Sequence, residues 1–281
     1  VGLPNLKSLD LSQNKVLSNF SPIDFFGLEQ LCILSIVNSN ISKITESTFS
    51  HLKSLETLDL KISLNLKEIE DYGFDGLTNL LTLDLSFALI LSIIGERSFY
   101  GLKNLKYLRF DQSKSLNMAS IKNIIRQFDN LEKLEMEMVN IENLASDLFI
   151  NLGKLKILSL NRNKISSVRN GFNGLNSLEE LSLLGNNFHT IEDSFFLDLN
   201  YTKIKKLNLD SCRIQVIQAG AFKGLDHLLE LTLNDNNIIA IEAFSFHGLN
   251  NLTTLLIGSS SHIIQGPTLA IDPIKANSFH G

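Results

Sequence analysis

The side chains of this chain best equipped for chemistry lie in two short runs, Tyr107, Arg109 and Asp111, then Lys133, Glu135 and Glu137. Each run alternates with apolar residues, Leu108 and Phe110 in the first and Leu134 and Met136 in the second. That period of two belongs to a strand with one face in a core and the other in solvent. Like charges on neighbouring strands repel, so Asp111, Glu135 and Glu137 require compensation from Arg109 and Lys133 or from a cationic partner. The set therefore reads either as a solvated charged ladder or as a partner-binding patch. Catalytic spacing is missing elsewhere. The histidines, His51, His189, His227, His247, His262 and His280, are scattered, and no H-E-x-x-H, G-x-S-x-G, phosphate-binding loop or Cys-x-x-Cys occurs. No catalytic residue, metal ligand or cofactor is expected.

The elements that carry these runs repeat. "LKILSLNRNKISSVRNGFNGL" (155–175) follows the frame L-x-x-L-x-L-x-x-N-x-I-x-x-I, then Phe, then Gly-Leu, and the frame recurs eleven times. The leucines that open each L-x-L are Leu9, Leu34, Leu58, Leu83, Leu108, Leu134, Leu158, Leu181, Leu207, Leu231 and Leu255, a mean period of 24.6 residues. This period and consensus predict an α/β leucine-rich-repeat solenoid, or horseshoe, of about 11 repeats. Each L-x-L forms one strand of a parallel concave sheet, with loops and short helices on the convex side. Residues 1–281 are expected to form a single uncapped solenoid, a fragment of a longer chain.

A Phe column fills the convex half of the coil: Phe26, Phe49, Phe74, Phe99, Phe149, Phe172, Phe196, Phe222, Phe246 and Phe279, with Phe128 as an irregular member. The asparagine column is Asn only at Asn14, Asn163, Asn186 and Asn236; the other repeats carry Ser39, Ser63, Ala88, Ser113, Val139, Cys212 and Ser260. A buried Asn satisfies turn backbone groups that Ala and Val cannot reach. Repeats two to six are therefore expected to have looser or more variable turns, with a local change of curvature. Ile121, Ile124, Ile125 and Phe128, at i, i+3, i+4 and i+7, predict a short helix behind Ser120 as its cap. In the last repeat, residues 262–270 read as an inserted loop beside the concave edge. Ile263, Gln265 and Pro267 are its candidate ligand contacts, unless the loop is merely a tolerated surface excursion.

Cys32 and Cys212 lie seven strand spacings apart, on the order of 30 Å, too far for a disulfide. Both are expected to be free thiols, which leaves the redox compartment open. N-x-[ST] sequons mark Asn19, Asn40, Asn200 and Asn251 as candidate glycosylation sites. The 29 Asn of the chain would generate roughly four by composition alone, so their number carries no signal. A net charge of −5 argues against nucleic acid as a default partner. No stretch is long and apolar enough to span a membrane.

The 24-residue period, the Phe column and the phrases "IQAGAFKGL" (217–225) and "NYTKIKKLNLDSCRIQVI" (200–217) resemble the animal extracellular "typical" leucine-rich repeat, in particular the ectodomains of Toll-like receptors. The resemblance covers essentially the whole chain. The L-x-G-x-I-P of plant receptor repeats is absent. The resemblance implies a non-enzymatic module that binds a microbial or protein ligand on its concave face or edge and pairs with a second receptor chain. It also implies innate immunity and a place at the outer face of the plasma membrane or in the endosome lumen. The alternative is a leucine-rich adhesion or matrix protein acting through protein–protein contacts.

Overall fold

The structure, a computed structural model, describes residues 3–258. These fall into two units. One runs up to Val139 and includes Asn151–Lys154; the other comprises Asn140–Ile150 and the residues from Leu155 onward.

Each unit is a stack of turns built on three-residue parallel strands. In the first unit the strands are Ser8–Asp10, Ile33–Ser35, Thr57–Asp59, Thr82–Asp84, Tyr107–Arg109 and Lys133–Glu135. They pair in an unshifted register, Leu9 to Leu34, Leu58, Leu83, Leu108 and Leu134 in turn. The second unit repeats this with Ile157–Ser159, Glu180–Ser182, Lys206–Asn208, Glu230–Thr232 and Thr254–Leu256, again leucine against leucine. Strand period explains the choice of residues. The middle leucine points inward, and Leu34, Leu58, Leu83, Leu108, Leu134 and Leu158 have no exposed surface. The residues flanking it face outward. The predicted parallel-strand solenoid is thus the observed architecture.

Two-residue strands close the far side of several turns. Lys43–Ile44, Glu68–Ile69 and Ile93–Ile94 pair in the first unit, and Thr190–Ile191, Val216–Ile217 and Ala240–Ile241 in the second. The Phe column follows these short strands in sequence and is buried with the leucines. Phe49, Phe74 and Phe99 stack with ring centroids 5.9 and 5.3 Å apart, and Phe196, Phe222 and Phe246 do so at 6.0 and 5.6 Å.

Two assignments shift by a few residues. Phe26 is 62% exposed, and the buried ring of that repeat is Phe25, 5.6 Å from Phe49. The reason is the fixed distance from the ring to the next Leu. The core ring stands three residues before it in F-x-x-L (Phe74 to Leu77, Phe99 to Leu102), which selects Phe25 before Leu28. Phe128 before Leu131 obeys the same rule, so it is regular, buried and 5.6 Å from Phe99. The expected helix spans Met118–Ile125 with Ile121, Ile124 and Ile125 buried. Its cap is Asn117 rather than Ser120: Asn117 Oδ1 accepts the Ser120 N–H at 2.9 Å, satisfying a first-turn donor.

The expected variability of the turns is absent from the backbone. The residue before the ladder position has φ between +52° and +74° in every repeat from Gln13 to Asp235. The cause is an inter-repeat backbone bond that no side chain affects. The N–H groups of Gln13, Asn38, Ile62, Phe87 and Gln112 donate to carbonyls of the next repeat, as do those of Arg162, Gly185, Ser211 and Asp235. What changes is side-chain satisfaction. Asn163, Asn186 and Asn236 each accept a backbone N–H and donate to backbone carbonyls. Cys212 substitutes a weak Sγ donor 3.1 Å from Leu183 O, and Ser63 reaches Leu60 O. The Ser39 and Ser113 hydroxyls are buried without a partner.

Candidate functional site

Three positions per repeat lie on the strand face opposite the inward leucine or at its exit: the first and third strand residues and the second residue beyond the strand, most of them half-buried or exposed, with Ser86, Asp111, Ser159 and Thr232 buried. At the third position Asp10, Asp59 and Asp84 each accept the N–H two residues on, at 2.9, 3.0 and 2.8 Å. These carboxylates shape the strand exit as well as facing solvent. Ser35 stands at this position in the second repeat and Arg109 in the fifth, and the charged cluster forms around Arg109.

Strand register sets Tyr107 beside Lys133 and Arg109 beside Glu135. The Lys133 ammonium sits 4.7 Å from the Tyr107 ring centroid, a cation–π contact. Glu135 is the hub. Its Oε2 accepts the Tyr107 hydroxyl at 2.5 Å and Arg109 Nε at 3.1 Å, while Oε1 pairs with Lys133 at 2.8 Å. Arg109 Nε also meets Asp111 Oδ2 at 2.5 Å, and Asp111 Oδ1 accepts the Glu137 N–H at 2.7 Å. The structure thus brings together the side chains of Tyr107, Arg109, Asp111, Lys133 and Glu135 with the backbone N–H of Glu137. Asp111 departs from the expected solvent-facing ladder: it is 3% exposed, because its carboxylate bridges one strand exit to the next. The like charges are compensated internally by Arg109 and Lys133.

Burial and pairing push these groups in different directions. Burial raises Asp111 above the usual carboxylate range despite the Glu137 N–H and Arg109. For Glu135 burial also acts upward, but the hydrogen bonds from Lys133 and Tyr107 outweigh it and leave the carboxyl low. Burial, with the Glu135 carboxylate, raises the Tyr107 phenol. The linkage signs follow. Folded Asp111 holds its proton more tightly than the unfolded chain does, so it costs stability as pH rises through its folded value. Folded Glu135 holds its proton less tightly, so its contribution is present above about pH 4.3 and is lost as pH falls through its lower folded value. Urea unfolding at a series of pH values should therefore show Asp111→Asn gaining on the parent chain as pH rises, and Glu135→Gln losing ground. Parallel trends would contradict the geometry.

The second unit presents a different outward face, with Ser159, Ser182, Asn208 and Thr232 at the third positions and Ile157, Glu180, Lys206 and Glu230 at the first. Lys206 pairs with Glu180 at 2.9 Å. Asp210 Oδ1 accepts the Asn234 N–H at 2.6 Å, the counterpart of the Asp111 bridge. Over the three outward positions the first unit carries six carboxylates against Lys61, Arg109 and Lys133, and the second carries three against Lys206. The outward strand positions of the two units, counted together, account for the whole formal net charge of −5, and the remaining residues balance.

Other predicted residues lie apart from this face. Asn19, Asn40, Asn200 and Asn251 are exposed. Asn251 Nδ2 donates to Asp226 O at 2.6 Å, and Asn40 accepts from Asn65. Cys32 and Cys212 are free, and burial pushes the Cys212 thiol up to about 12. Ile263, Gln265, Pro267 and the 262–270 insertion lie outside the described residues. Among the described residues no helix is long and apolar enough to cross a membrane.

In each unit parallel strands stack over a packed leucine interior and carry their chemical variety on the outward strand face, the build of a leucine-rich recognition module. The chain belongs to the leucine-rich repeat family, whose model matches residues 30–90, 129–188 and 202–261. It is 30% identical to human Toll-like receptor 3 over 82% of its own length, spanning 27% of that receptor. Its fold is similar to that of TLR13 in a complex with ssRNA13, with a TM-score of 0.63 and 20% identity, covering 90% of this chain and 44% of that one. Drosophila Toll in its complex with Spatzle gives 0.70 and 19%, covering 89% and 36%. Human 5T4, also called trophoblast glycoprotein, gives 0.61 and 19%, covering 83% and 77%.

Proposed function

We propose that this chain is part of the ectodomain of a Toll-like innate immune receptor, held at the outer face of the plasma membrane or in the endosome lumen. It recognises a protein ligand on its outward strand face or edge, pairs with a second receptor chain and passes the signal across the membrane. The observation that carries this reading is the 30% identity to human Toll-like receptor 3, sustained over 82% of the chain. Two of the similar folds are bound to different ligand classes, ssRNA13 in one and Spatzle in the other. The charge of the strand face favours a protein, since carboxylates repel a phosphate backbone and the cationic clamps that RNA needs are here tied to Glu135 and Asp111. Asn19, Asn40, Asn200 and Asn251 of the sequons are exposed, as glycan acceptors on such an ectodomain would have to be.

The full-length reading frame tests the proposal. It should continue into a stretch of about 20 apolar residues followed by a cytosolic signalling domain. A lipid anchor or matrix domains in their place would establish the adhesion-type alternative instead.

A further inference from the structure

The outward face of the second unit contains a depression of about 230 Å³ lined by Ser159, Glu180, Ser182, Lys206, Asn208, Glu230 and Thr232, among others. It is smaller than the roughly 300–1,000 Å³ of a small-molecule site, and its size suits one long side chain. Two groups in it lack partners. Glu230 is half-buried, and its carboxylate makes no hydrogen bond or ion pair among the described residues; Lys206, its neighbour in register, is held by Glu180 and reaches Glu230 only through its field. Thr232 is 9% exposed, and its Oγ1 is buried without a hydrogen-bond partner. A stranded hydroxyl of this kind opposes folding unless something meets it. Glu230 and Thr232 stand two residues apart on one strand and so share a face, about 6.6 Å apart along it.

We infer that this depression is a receptor for a single arginine side chain presented by a protein partner, with Glu230 as counter-ion and the Thr232 hydroxyl as second acceptor. Charge selects the occupant: the outward face of this unit has three carboxylates against one lysine, and that lysine is engaged. Geometry selects arginine over lysine. A guanidinium has five donors in a fixed planar fork that can serve a carboxylate and a hydroxyl at once, whereas an ammonium is a compact point charge. Lys206 tempers the site. It repels the incoming cation, so Glu180 acts as the positioning residue that draws its charge aside. The inference rests on the recognition reading above and names the chemistry of one contact within it.

The test is a nitrogen–proton correlation titration of the folded chain with capped Gly-Arg-Gly, and with capped Gly-citrulline-Gly as the uncharged shape control. The arginine peptide should produce saturable shifts confined to the amides around 180–182, 206–208 and 230–232, and the citrulline peptide should not. Glu230→Gln should weaken binding at least about fivefold, as expected for loss of a charge-assisted bond. Lys206→Gln should strengthen it. Thr232→Val, nearly isosteric at a site with no bond to lose, should weaken binding while leaving the chain folded. Equal shifts with citrulline, no saturable shift, or affinity indifferent to Glu230→Gln would overturn the inference. Any of these would leave the receptor reading standing, since that is decided by the reading frame beyond these residues.

Discussion

Phe74→Ala should lower the stability of the first unit by about 3–5 kcal/mol, measured by chemical denaturation. Phe74 has no exposed surface and stacks between Phe49 and Phe99 at 5.9 and 5.3 Å. Truncation removes the transfer free energy of a ring and leaves a cavity that both neighbours border. Neither can collapse into it, because each is held at its own turn by the F-x-x-L spacing. Stability in a repeat array is close to a sum of repeat and nearest-neighbour terms, so the loss should appear as early opening around repeats two to four. Phe26→Ala is the internal control. That ring is 62% exposed with an edge contact to His51, and its loss should stay within about 0.5 kcal/mol.

Asn186→Ala should cost about 3 kcal/mol, through hydrogen bonds rather than volume. Asn186 is 1% exposed. Its Oδ1 accepts the Ile165 N–H at 3.1 Å, and its Nδ2 donates to Leu160 O and Leu183 O at 3.0 and 2.7 Å. Both carbonyls keep a second donor, Asn163 Nδ2 for Leu160 and Cys212 Sγ for Leu183. The Ile165 N–H loses this acceptor in the interior, and that is the larger share of the penalty. Asn14→Ala removes a chemically similar side chain whose bonds to Leu11 O and Ser12 O are solvent-exposed, so it should change stability by no more than about 0.5 kcal/mol. Equal losses at the two positions would refute the ladder account.

The contrast between these two asparagines shows what the sequence could and could not reveal. The inward leucines, the Phe column and the helix at Met118–Ile125 were legible because each answers to a spacing along the chain, and spacing is what a sequence records. Phe25 was legible too, through its distance to Leu28, but the adjacent Phe26 fitted the coarser pattern. Turn geometry was not legible from the ladder residue. A backbone N–H reaching the next repeat's carbonyl holds φ positive even at Ile62 and Phe87. The charged runs were visible, yet their meaning depended on which oxygen each cation takes. Glu135 collecting Tyr107, Arg109 and Lys133 turns a patch that looked available into one largely engaged. Glu230 and Thr232 drew no notice because neither is unusual in type. Only the registered neighbours Lys206 and Asn208 show what they lack.

The central claim is that inward strand positions are fixed by packing while most outward ones are released from it and can vary. A saturation substitution scan with protease resistance as the readout tests it most directly. Intolerance should peak at the middle strand leucines from Leu34 to Leu231 and recur every 23 to 26 residues, with the flanking outward positions such as Ser35, Thr57, Thr82 and Glu230 accepting most side chains. Outward positions as intolerant as the leucines, or a tolerance profile without that period, would contradict the account.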